Sequence, residues 1–333
     1  MTQLSSDHDL SNFPESYWLD HPIPHFPPMS TDNETQVGVI GGGIVGIITA
    51  YLLIKAGRKV TLVEARDFLS GVTGHTTAKI TAQHRLLYAE LIRTFGKENA
   101  RLYYEANIEG LALIQKISEE LEIDCDFEKK KAVVYATTTK GAEQIKKEAQ
   151  AYEDLGITAF LTEGRLEELP FDTKLALTLP DQAQFHPVKF LAGLIKEIQR
   201  LGGIIYEQTR AVKLKDETTV IMENGTSLNC EKVVVATHYP FNDFNGLYFS
   251  KLAISRSYAL AVKVMGAIPE SMYISVESPT RSLRSIRDMN GEELLLIGGD
   301  SHPTGKSRSD TQAHYRNLEK FVQKYFPIQG IPF

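Results

Sequence analysis

The chain has 333 residues, of which 36 are lysine or arginine and 42 are aspartate or glutamate, so its net charge is −6. This acidic balance argues against a nucleic-acid-binding surface, and 42% hydrophobic with 23% charged residues is ordinary for a soluble protein. Cys125 and Cys230 are too few for a disulfide scaffold or a cysteine-rich metal site, so we expect a reducing, cytoplasmic compartment.

The first 35 residues are polar and then rich in proline, without the basic start or apolar stretch of a signal peptide. The prolines between Phe13 and Met29 exclude a long helix. The same stretch carries four aromatic side chains: Phe13, Tyr17, Trp18 and Phe26. We predict an irregular arm over residues 1–35, laid on the surface and anchored by those rings. A binding motif for a partner is the alternative interpretation.

Residues 37–46 follow as a strand, a glycine turn and the start of a helix, and a second strand ends at Glu64. This is the βαβ unit that holds the ADP half of a dinucleotide. Gly41 permits the tight turn, Gly43 lets the backbone approach a pyrophosphate, and Gly46 lets the helix pack closely on the strand.

The helix that begins near Ile44 offers unpaired N–H groups to phosphates, and Glu64 is placed to accept hydrogen bonds from a ribose. A membrane span is the competing interpretation, because nothing from residue 37 to residue 54 is charged. Three glycines open the segment and a polar connection at 55–59 leads to a β-branched strand, so we predict no membrane segment.

Beyond this unit, a loop rich in glycine and threonine spans residues 66–83. Helices are predicted at 84–95, 97–122, 141–152, 188–201 and 310–325. Strands are predicted at 131–139, 204–207, 210–215, 218–223 and 232–236, with a strand-rich stretch at 253–299. This mixed order indicates an α/β and α+β architecture in which a sheet domain, 126–182 and 246–333, is inserted into a dinucleotide domain, 36–125 and 183–245.

Three segments together resemble one family: residues 41–46 with Glu64, GVTGHTTAKIT at 71–81 and VVVATH at 233–238. They are similar to the FAD-dependent oxidoreductases of the D-amino-acid oxidase and glycine oxidase (DAO) superfamily. The stretches SYWLD, IDCDF, SRSYALA and GGDSHPTG extend the resemblance over nearly the whole chain. Within the superfamily, the resemblance is strongest to a bacterial subgroup whose members end in a Rieske 2Fe–2S domain.

The resemblance implies a Rossmann-like FAD-binding domain of the glutathione-reductase type with an interleaved antiparallel-sheet substrate domain. It also implies non-covalent FAD and the oxidation of an amine or amino acid by hydride transfer to the flavin. The small-molecule substrate would then be that amine or amino acid.

Thr73, Gly74, Thr76 and Thr77 place hydroxyls and backbone donors just beyond the ribose strand, where a long cofactor needs hydrogen bonds. A threonine-rich turn that caps the next helix is the alternative. Lys79 could face a phosphate or be a solvated charge, and the sequence leaves both open.

In the superfamily, the strand before an Ala-Thr-Gly turn closes over the adenine side of FAD. Here the turn is Ala236, Thr237 and His238, so the third position departs from glycine. Val212 matches the position whose main chain meets the adenine ring in relatives. The cofactor-binding set that the resemblance implies is completed by Ile44, Val45, Ala65 and Arg66.

An amino-acid substrate needs a cation for its carboxylate, and arginine offers a planar fork for that purpose. The resemblance puts the substrate-binding arginine at Arg284. If residues 281–287 form a strand, Arg284 and Ser282 lie on the same face of it. Tyr258, in an apolar strand, and His302, at a strand exit, are the other catalytic candidates. A solvated strand face, a core tyrosine and a surface histidine are the respective alternatives.

No metal site is predicted, because His8, His21 and His25 lie in the arm without a metal-ligand spacing of carboxylates. The cysteine and histidine pairs of a Rieske cluster are also missing. The superfamily's glycine-rich strand and helix beyond the sheet domain have no counterpart before residue 333. We therefore expect a truncated chain, with an electron acceptor or Rieske domain encoded beyond it.

Two rival functions stay open at this point. A nicotinamide-dependent dehydrogenase would use the same βαβ unit. A truncated, non-catalytic fragment would bind FAD without oxidising a substrate.

Overall fold

The computed structural model describes residues 16–243, 246–306 and 310–332. Phe13 of the predicted arm and His8 lie outside the described residues. Among the described residues, none of the helices combines the length and the apolar character that a membrane crossing requires.

The first sheet has six strands in the order β7-β2-β1-β10-β9-β8. Its strands are β1 (Asn33–Ile40), β2 (Val60–Val63), β7 (Ile204–Tyr206), β8 (Ala211–Leu214), β9 (Thr219–Met222) and β10 (Ser227–Val235). The four neighbouring strands β7, β2, β1 and β10 are parallel, and β9 pairs antiparallel with both β8 and β10. Parallel strands must be joined by crossovers, so helices cover this sheet.

Two helices form those crossovers, α1 (Ile44–Lys55) between β1 and β2, and α4 (Pro187–Arg200) before β7. Apolar residues of both helices, including Ile47 and Leu191, join β1 and β2 in one buried cluster. The start of α4 is fixed by His186, whose ring nitrogen accepts from the Lys189 N–H at 3.2 Å.

The second sheet has the order β15-β11-β14-β13-β12-β4-β6-β3, with β5 paired to β6. Its strands are β3 (Lys79–Ile80), β4 (Glu128–Ala136), β5 (Phe160–Glu163), β6 (Leu175–Gln184), β11 (Ser255–Val264), β12 (Met272–Ser275), β13 (Arg281–Arg287), β14 (Glu293–Pro303) and β15 (Ile328–Gly330). All pairings are antiparallel except that of β12 with β4.

Three further helices lie beside this sheet: α2 (Tyr88–Glu120), α3 (Thr139–Leu155) and α5 (Thr311–Tyr325). The two helices predicted before residue 122 form one element, which begins at Tyr88 and is kinked where Gly96 adopts φ +82°. Strands β5 and β6 were not predicted, because Pro180 and the left-handed Asp181 (φ +54°) interrupt the alternation of β6.

The two sheets follow the predicted order of the chain with one difference. β3 lies in the segment assigned to the dinucleotide domain, yet it pairs with β6 of the second sheet. The loop before β3 thus runs from the first sheet to the second. The division into domains stays a prediction.

The arm is held by its aromatic side chains. Trp18 is buried and meets the ring of Tyr17 edge-on, with ring centroids 4.8 Å apart, and Phe26 meets Phe68 at 6.0 Å. Trp18 also belongs to the buried cluster under α1 and α4.

Candidate functional site

The turn between β1 and α1 accepts only glycine at several positions. Gly41 adopts φ +114°, and a β-carbon there would lie 2.5 Å from the Ala236 carbonyl oxygen. A β-carbon on Gly46 would lie 1.9 Å from the Gly41 carbonyl oxygen. Gly42, which the sequence did not single out, faces the Phe68 ring, 2.4 Å from where its β-carbon would stand. The tight turn and the close approach of the helix are therefore both present.

The start of α1 is open on the side of Gly43. A β-carbon there would meet only the Thr73 hydroxyl oxygen, at 3.2 Å, and Gly43, the N-cap residue, has no side chain of its own to cap the helix. The Thr73 hydroxyl accepts from the Ile44 N–H at 3.1 Å. A helix start with room above it and no cap from its own N-cap residue favours an anion, because the first N–H groups and the helix dipole point there.

Glu64 lies directly after β2, beside the glycine turn. Its two carboxylate oxygens accept from the Gly42 N–H at 2.7 Å and the Arg66 N–H at 2.9 Å. These bonds fix the carboxylate at the rim of a cavity, in the position that the sequence predicts for a ribose ligand.

The cavity has a volume of about 1020 Å³, at the upper end of the range for cofactor sites. It begins at the glycine turn and reaches β3 of the second sheet. Eleven residues of the predicted cofactor set line it: Gly41, Gly43, Ile44, Val45, Glu64, Ala65, Arg66, Thr73, Thr76, Ala236 and Thr237. Sequence reasoning did not identify Phe185, Arg210 and Tyr239, which also line it and carry no motif that could reveal them.

Four predicted cofactor residues do not line the cavity. Gly46 lies beneath the turn, and Gly74 is packed against Leu69 and Leu19. The Thr77 methyl group would be 3.0 Å from a β-carbon on Gly298. Val212 is 44% exposed, while the preceding Ala211 reaches the cavity wall. Alternation along β8 turns the Val212 side chain outward, and the contact of its main chain with an adenine ring stays a prediction.

His238 closes the turn after β10 with φ +62°. This left-handed conformation favours glycine, which is the residue that the superfamily pattern has at this position. The departure from the pattern therefore leaves the turn itself in place, with His238 lining the cavity.

Lys79 lies at the far end of the cavity and is half-buried. Its ammonium donates to the Tyr273 carbonyl and the Ser282 hydroxyl, both at 2.7 Å. Burial and the nearby Arg284 guanidinium lower the pKa of Lys79 to about 7. Of the two roles that the sequence left open, the solvated surface charge is thereby excluded.

Arg284 does not line the large cavity. It is buried, its Nη1 donates to the Thr77 and Ala78 carbonyls at 2.9 and 2.6 Å, and its guanidinium lies 5.5 Å from the centre of a Trp18 ring. Burial lowers its pKa to about 9. The arm and main-chain carbonyls cover this face of β13, and the substrate contact of Arg284 stays a prediction that this placement does not support.

Tyr258 and His302 lie together, also away from the cavity. The Tyr258 hydroxyl is 2.9 Å from the His302 Nε2, and both rings stack on His314 of α5 with centroids 4.6 Å apart. Alternation along β11 points Tyr258 to the sheet face that α5 covers, where it shares a core with Leu318. Their predicted contact with a substrate is therefore not supported by their placement.

Asp300 holds this group together at the end of β14. It accepts from Arg281 at 3.2 Å, from His314 at 2.7 Å and from Asn317 at 3.1 Å. Burial works against ionisation, but the hydrogen bonds from Asn317 and His314 and the charge of Arg281 prevail and lower the pKa of Asp300. The polar groups of this cluster hydrogen-bond to one another, and these bonds hold α5 against the sheet.

The fold brings His25 of the arm within ligand distance of two carboxylates, which spacing along the sequence could not show. Potential ligand atoms of His25, Asp67 and Glu207 all lie within 4.8 Å of one another. Glu207 already accepts from the Phe26 N–H at 2.7 Å and the Phe68 N–H at 2.8 Å. Its position is thus explained by anchoring the arm to the first sheet.

Comparisons with known proteins agree with this geometry. The family described as FAD dependent oxidoreductase (DAO) matches residues 36–331. A Bacillus subtilis protein named as a Rieske 2Fe–2S iron-sulfur protein, YhfW, is 39% identical over 99% of this chain. The chain spans only 65% of the length of that relative.

Solved structures share the fold at low sequence identity. Glycine oxidase from Geobacillus kaustophilus has a TM-score of 0.69 at 17% identity, covering 90% of this chain and 81% of that one. L-Proline dehydrogenase from P. horikoshii has a TM-score of 0.66 at 18% identity, covering 90% and 80%. With the family matched over nearly the whole chain, the protein belongs to the DAO family of FAD-dependent oxidoreductases.

Proposed function

We propose that the cavity holds FAD and that the protein oxidises a small amine or amino acid. The observation that carries this proposal is the Glu64 carboxylate, fixed beside the open start of α1 at the mouth of a cavity of about 1020 Å³. When bound, the flavin would accept a hydride equivalent from the substrate C–H bond.

The residues present fit the ADP half of that cofactor. The N–H groups at the start of α1 face the space that Gly43 leaves free, and they favour a diphosphate. Glu64 would accept hydrogen bonds from the ribose hydroxyls. The hydroxyls of Thr73 and Thr76 line the next part of the cavity and offer further hydrogen bonds to the cofactor.

Lys79 supplies an amino group at the opposite end, where the second sheet closes the cavity, and this group is positively charged below its pKa of about 7. Its bonds to Tyr273 and Ser282 fix the nitrogen, so the group is in place before a ligand arrives. In its protonated form such a fixed group stabilises negative charge on a bound group without reorganisation.

Ligand titration distinguishes FAD from a nicotinamide cofactor. The purified chain is titrated with FAD and, separately, with NADH, and binding is followed by quenching of each cofactor's fluorescence. The proposal expects saturable binding of FAD and at least tenfold weaker binding of NADH. Tighter binding of NADH would favour the nicotinamide-dependent dehydrogenase.

Reduction of bound FAD tests the oxidase activity. The FAD-loaded protein is mixed without oxygen with a panel of amines and amino acids, and the visible flavin band is followed. Bleaching by one of these substrates supports the proposal. Bound FAD that no member of the panel reduces would favour the non-catalytic function, which the placement of Tyr258 and His302 outside the cavity also favours.

The electron acceptor and the compartment are further proposals. The Bacillus subtilis relative is named as a Rieske protein, which supports a 2Fe–2S domain as the acceptor. Adding at least two equivalents of a purified, oxidised Rieske domain, each of which accepts one electron, should reoxidise the two-electron-reduced flavin. The unpaired thiols Cys125 and Cys230 support a cytoplasmic location, which cell fractionation tests.

A further inference from the structure

The loop over residues 71–79 is held from behind, through its carbonyl groups. The Ser16 hydroxyl donates to the Gly74 carbonyl, and the Trp18 indole N–H donates to the Thr76 carbonyl at 2.6 Å. Arg284 adds bonds to the next two carbonyls, of residues 77 and 78, at 2.9 and 2.6 Å. Consecutive carbonyls from 76 to 78 are thus all engaged by side chains remote in sequence.

The other side of the same loop faces the cavity. Thr73, Thr76 and Lys79 line it, and Thr73 also bonds to the start of α1. Ala78 is left-handed, with φ +49°, which a residue with a side chain rarely adopts unless its surroundings impose it. The contacts at the back of the loop therefore set the conformation of the face that a cofactor meets.

The two main holding groups support each other. Trp18 and Arg284 are both only 3% exposed, and the guanidinium lies 5.5 Å from the centre of a Trp18 ring. Among the described residues, none offers Arg284 a carboxylate within ion-pair distance. Burying a cation on neutral carbonyls is unfavourable, and arginine suits this place because its planar fork reaches several carbonyls at once.

We propose that Ser16, Trp18 and Arg284 form a clasp that holds residues 71–79 in the conformation that accepts the cofactor. Trp18 and Arg284 are then positioning residues that act through the loop, and Arg284 does not bind substrate. The inference rests on the proposed FAD site only in identifying the ligand that the loop receives.

A pair of aromatic substitutions separates positioning from general stability. Trp18→Phe keeps an aromatic ring against Arg284 but removes the N–H bond to residue 76. The matched control is Tyr88→Phe, since Tyr88 is also fully buried and donates to a carbonyl, that of Ala82, at 2.6 Å, without touching residues 71–79. Both substitutions remove one buried hydrogen bond to the main chain, and so both should lower the stability of the protein.

Of these two variants, only Trp18→Phe should bind FAD more weakly than wild type. We expect the Kd for FAD to rise about tenfold in Trp18→Phe and to stay within about twofold of wild type in Tyr88→Phe. Amide hydrogen exchange of residues 71–79 in the FAD-free protein should accelerate in the first variant only. Equal FAD affinity and unchanged exchange in Trp18→Phe, at reduced stability, would show that the arm is merely structural and would overturn the clasp.

A second variant covers the case in which Trp18→Phe does not fold. Arg284→Lys keeps the buried cation but cannot reach both carbonyls, so faster exchange at residues 77–79 is expected and unchanged exchange contradicts the clasp. If wild-type protein binds no FAD, the proposed function fails. The exchange measurement still decides the clasp, so the two failures are distinguishable.

Discussion

Two regions of this protein are both rich in polar residues, and they differ in how many of their hydrogen-bonding groups face a cavity. Around the glycine turn and the loop at 71–79, helix N–H groups, the Thr76 side chain and Lys79 face a large cavity. Around Asp300, the charged and aromatic groups of β11, β13, β14 and α5 bond and stack with one another. The first region keeps donors and acceptors that face the cavity, whereas the polar groups of the second region bond to one another and hold α5. A cluster of titratable residues is therefore no guide to a binding site unless donors or acceptors remain open beside a cavity.

Glycine substitutions give the largest effect and separate fold from binding within the first region. Gly46→Ala puts a methyl group against the Gly41 carbonyl, so we expect a loss of at least about 3 kcal/mol in the free energy of unfolding. Gly43→Ala meets only the Thr73 hydroxyl at 3.2 Å and should fold normally but bind FAD at least about tenfold more weakly. Chemical denaturation and FAD titration measure the two effects. A Gly43→Ala protein with wild-type affinity contradicts the assignment of this turn.

The second region should respond in stability alone. Asp300→Asn keeps the shape but removes the charge that pairs with Arg281, and about 2 kcal/mol of unfolding free energy should be lost. FAD affinity should stay within about twofold of wild type, because Asp300 does not line the cavity. A large loss of FAD affinity without destabilisation would reverse the contrast between the two regions.

The pH dependence of the free energy of unfolding tests whether Lys79 is desolvated in the folded protein. Its folded pKa of about 7 lies below its ordinary value of 10.5, so between these values the unfolded chain binds more protons and stability rises with pH. The slope is at most about 1.4 kcal/mol per pH unit. Lys79→Met should lose this rise, as measured by denaturation of the FAD-free protein at several pH values. Identical slopes for wild type and variant would show that Lys79 is not desolvated.

Thr73→Val gives the smallest change. It removes the hydroxyl that accepts from the Ile44 N–H, and we expect about 1 kcal/mol less stability. Because that hydroxyl also lines the cavity, FAD affinity should fall by a few-fold as well. Calorimetric melting with and without FAD measures both effects. If FAD stabilises the variant as much as wild type, Thr73 only caps the start of α1 and does not contact the cofactor.

Local sequence patterns could predict the glycine turn and the position of Glu64 because the residues that form this βαβ unit are close together in the sequence. Within the turn itself, Gly41 is required by its φ of +114° and Gly46 by the clash that a β-carbon would have with the Gly41 carbonyl, and Glu64 follows from the length of one βαβ unit. The break between the two predicted helices likewise coincides with Gly96.

The substrate side could not be predicted in the same way. Whether Arg284 faces a cavity or a carbonyl depends on the arm, more than 250 positions earlier, which covers that face of β13 with Trp18. Tyr258 and His302 depended on which face of the second sheet α5 would cover. Such outcomes are set by packing between distant segments, and neither periodicity nor spacing carries that information.

The most direct test of the cofactor site is the FAD affinity of Glu64→Ala beside that of Glu231→Ala, a control at an exposed residue of β10. Fluorescence titration should show a rise in Kd of about 100-fold for the first variant, since the two charge-assisted hydrogen bonds from the ribose hydroxyls to the carboxylate are lost. The second variant should show no change. Equal affinity of Glu64→Ala and wild type would contradict the claim that the cofactor lies across this turn.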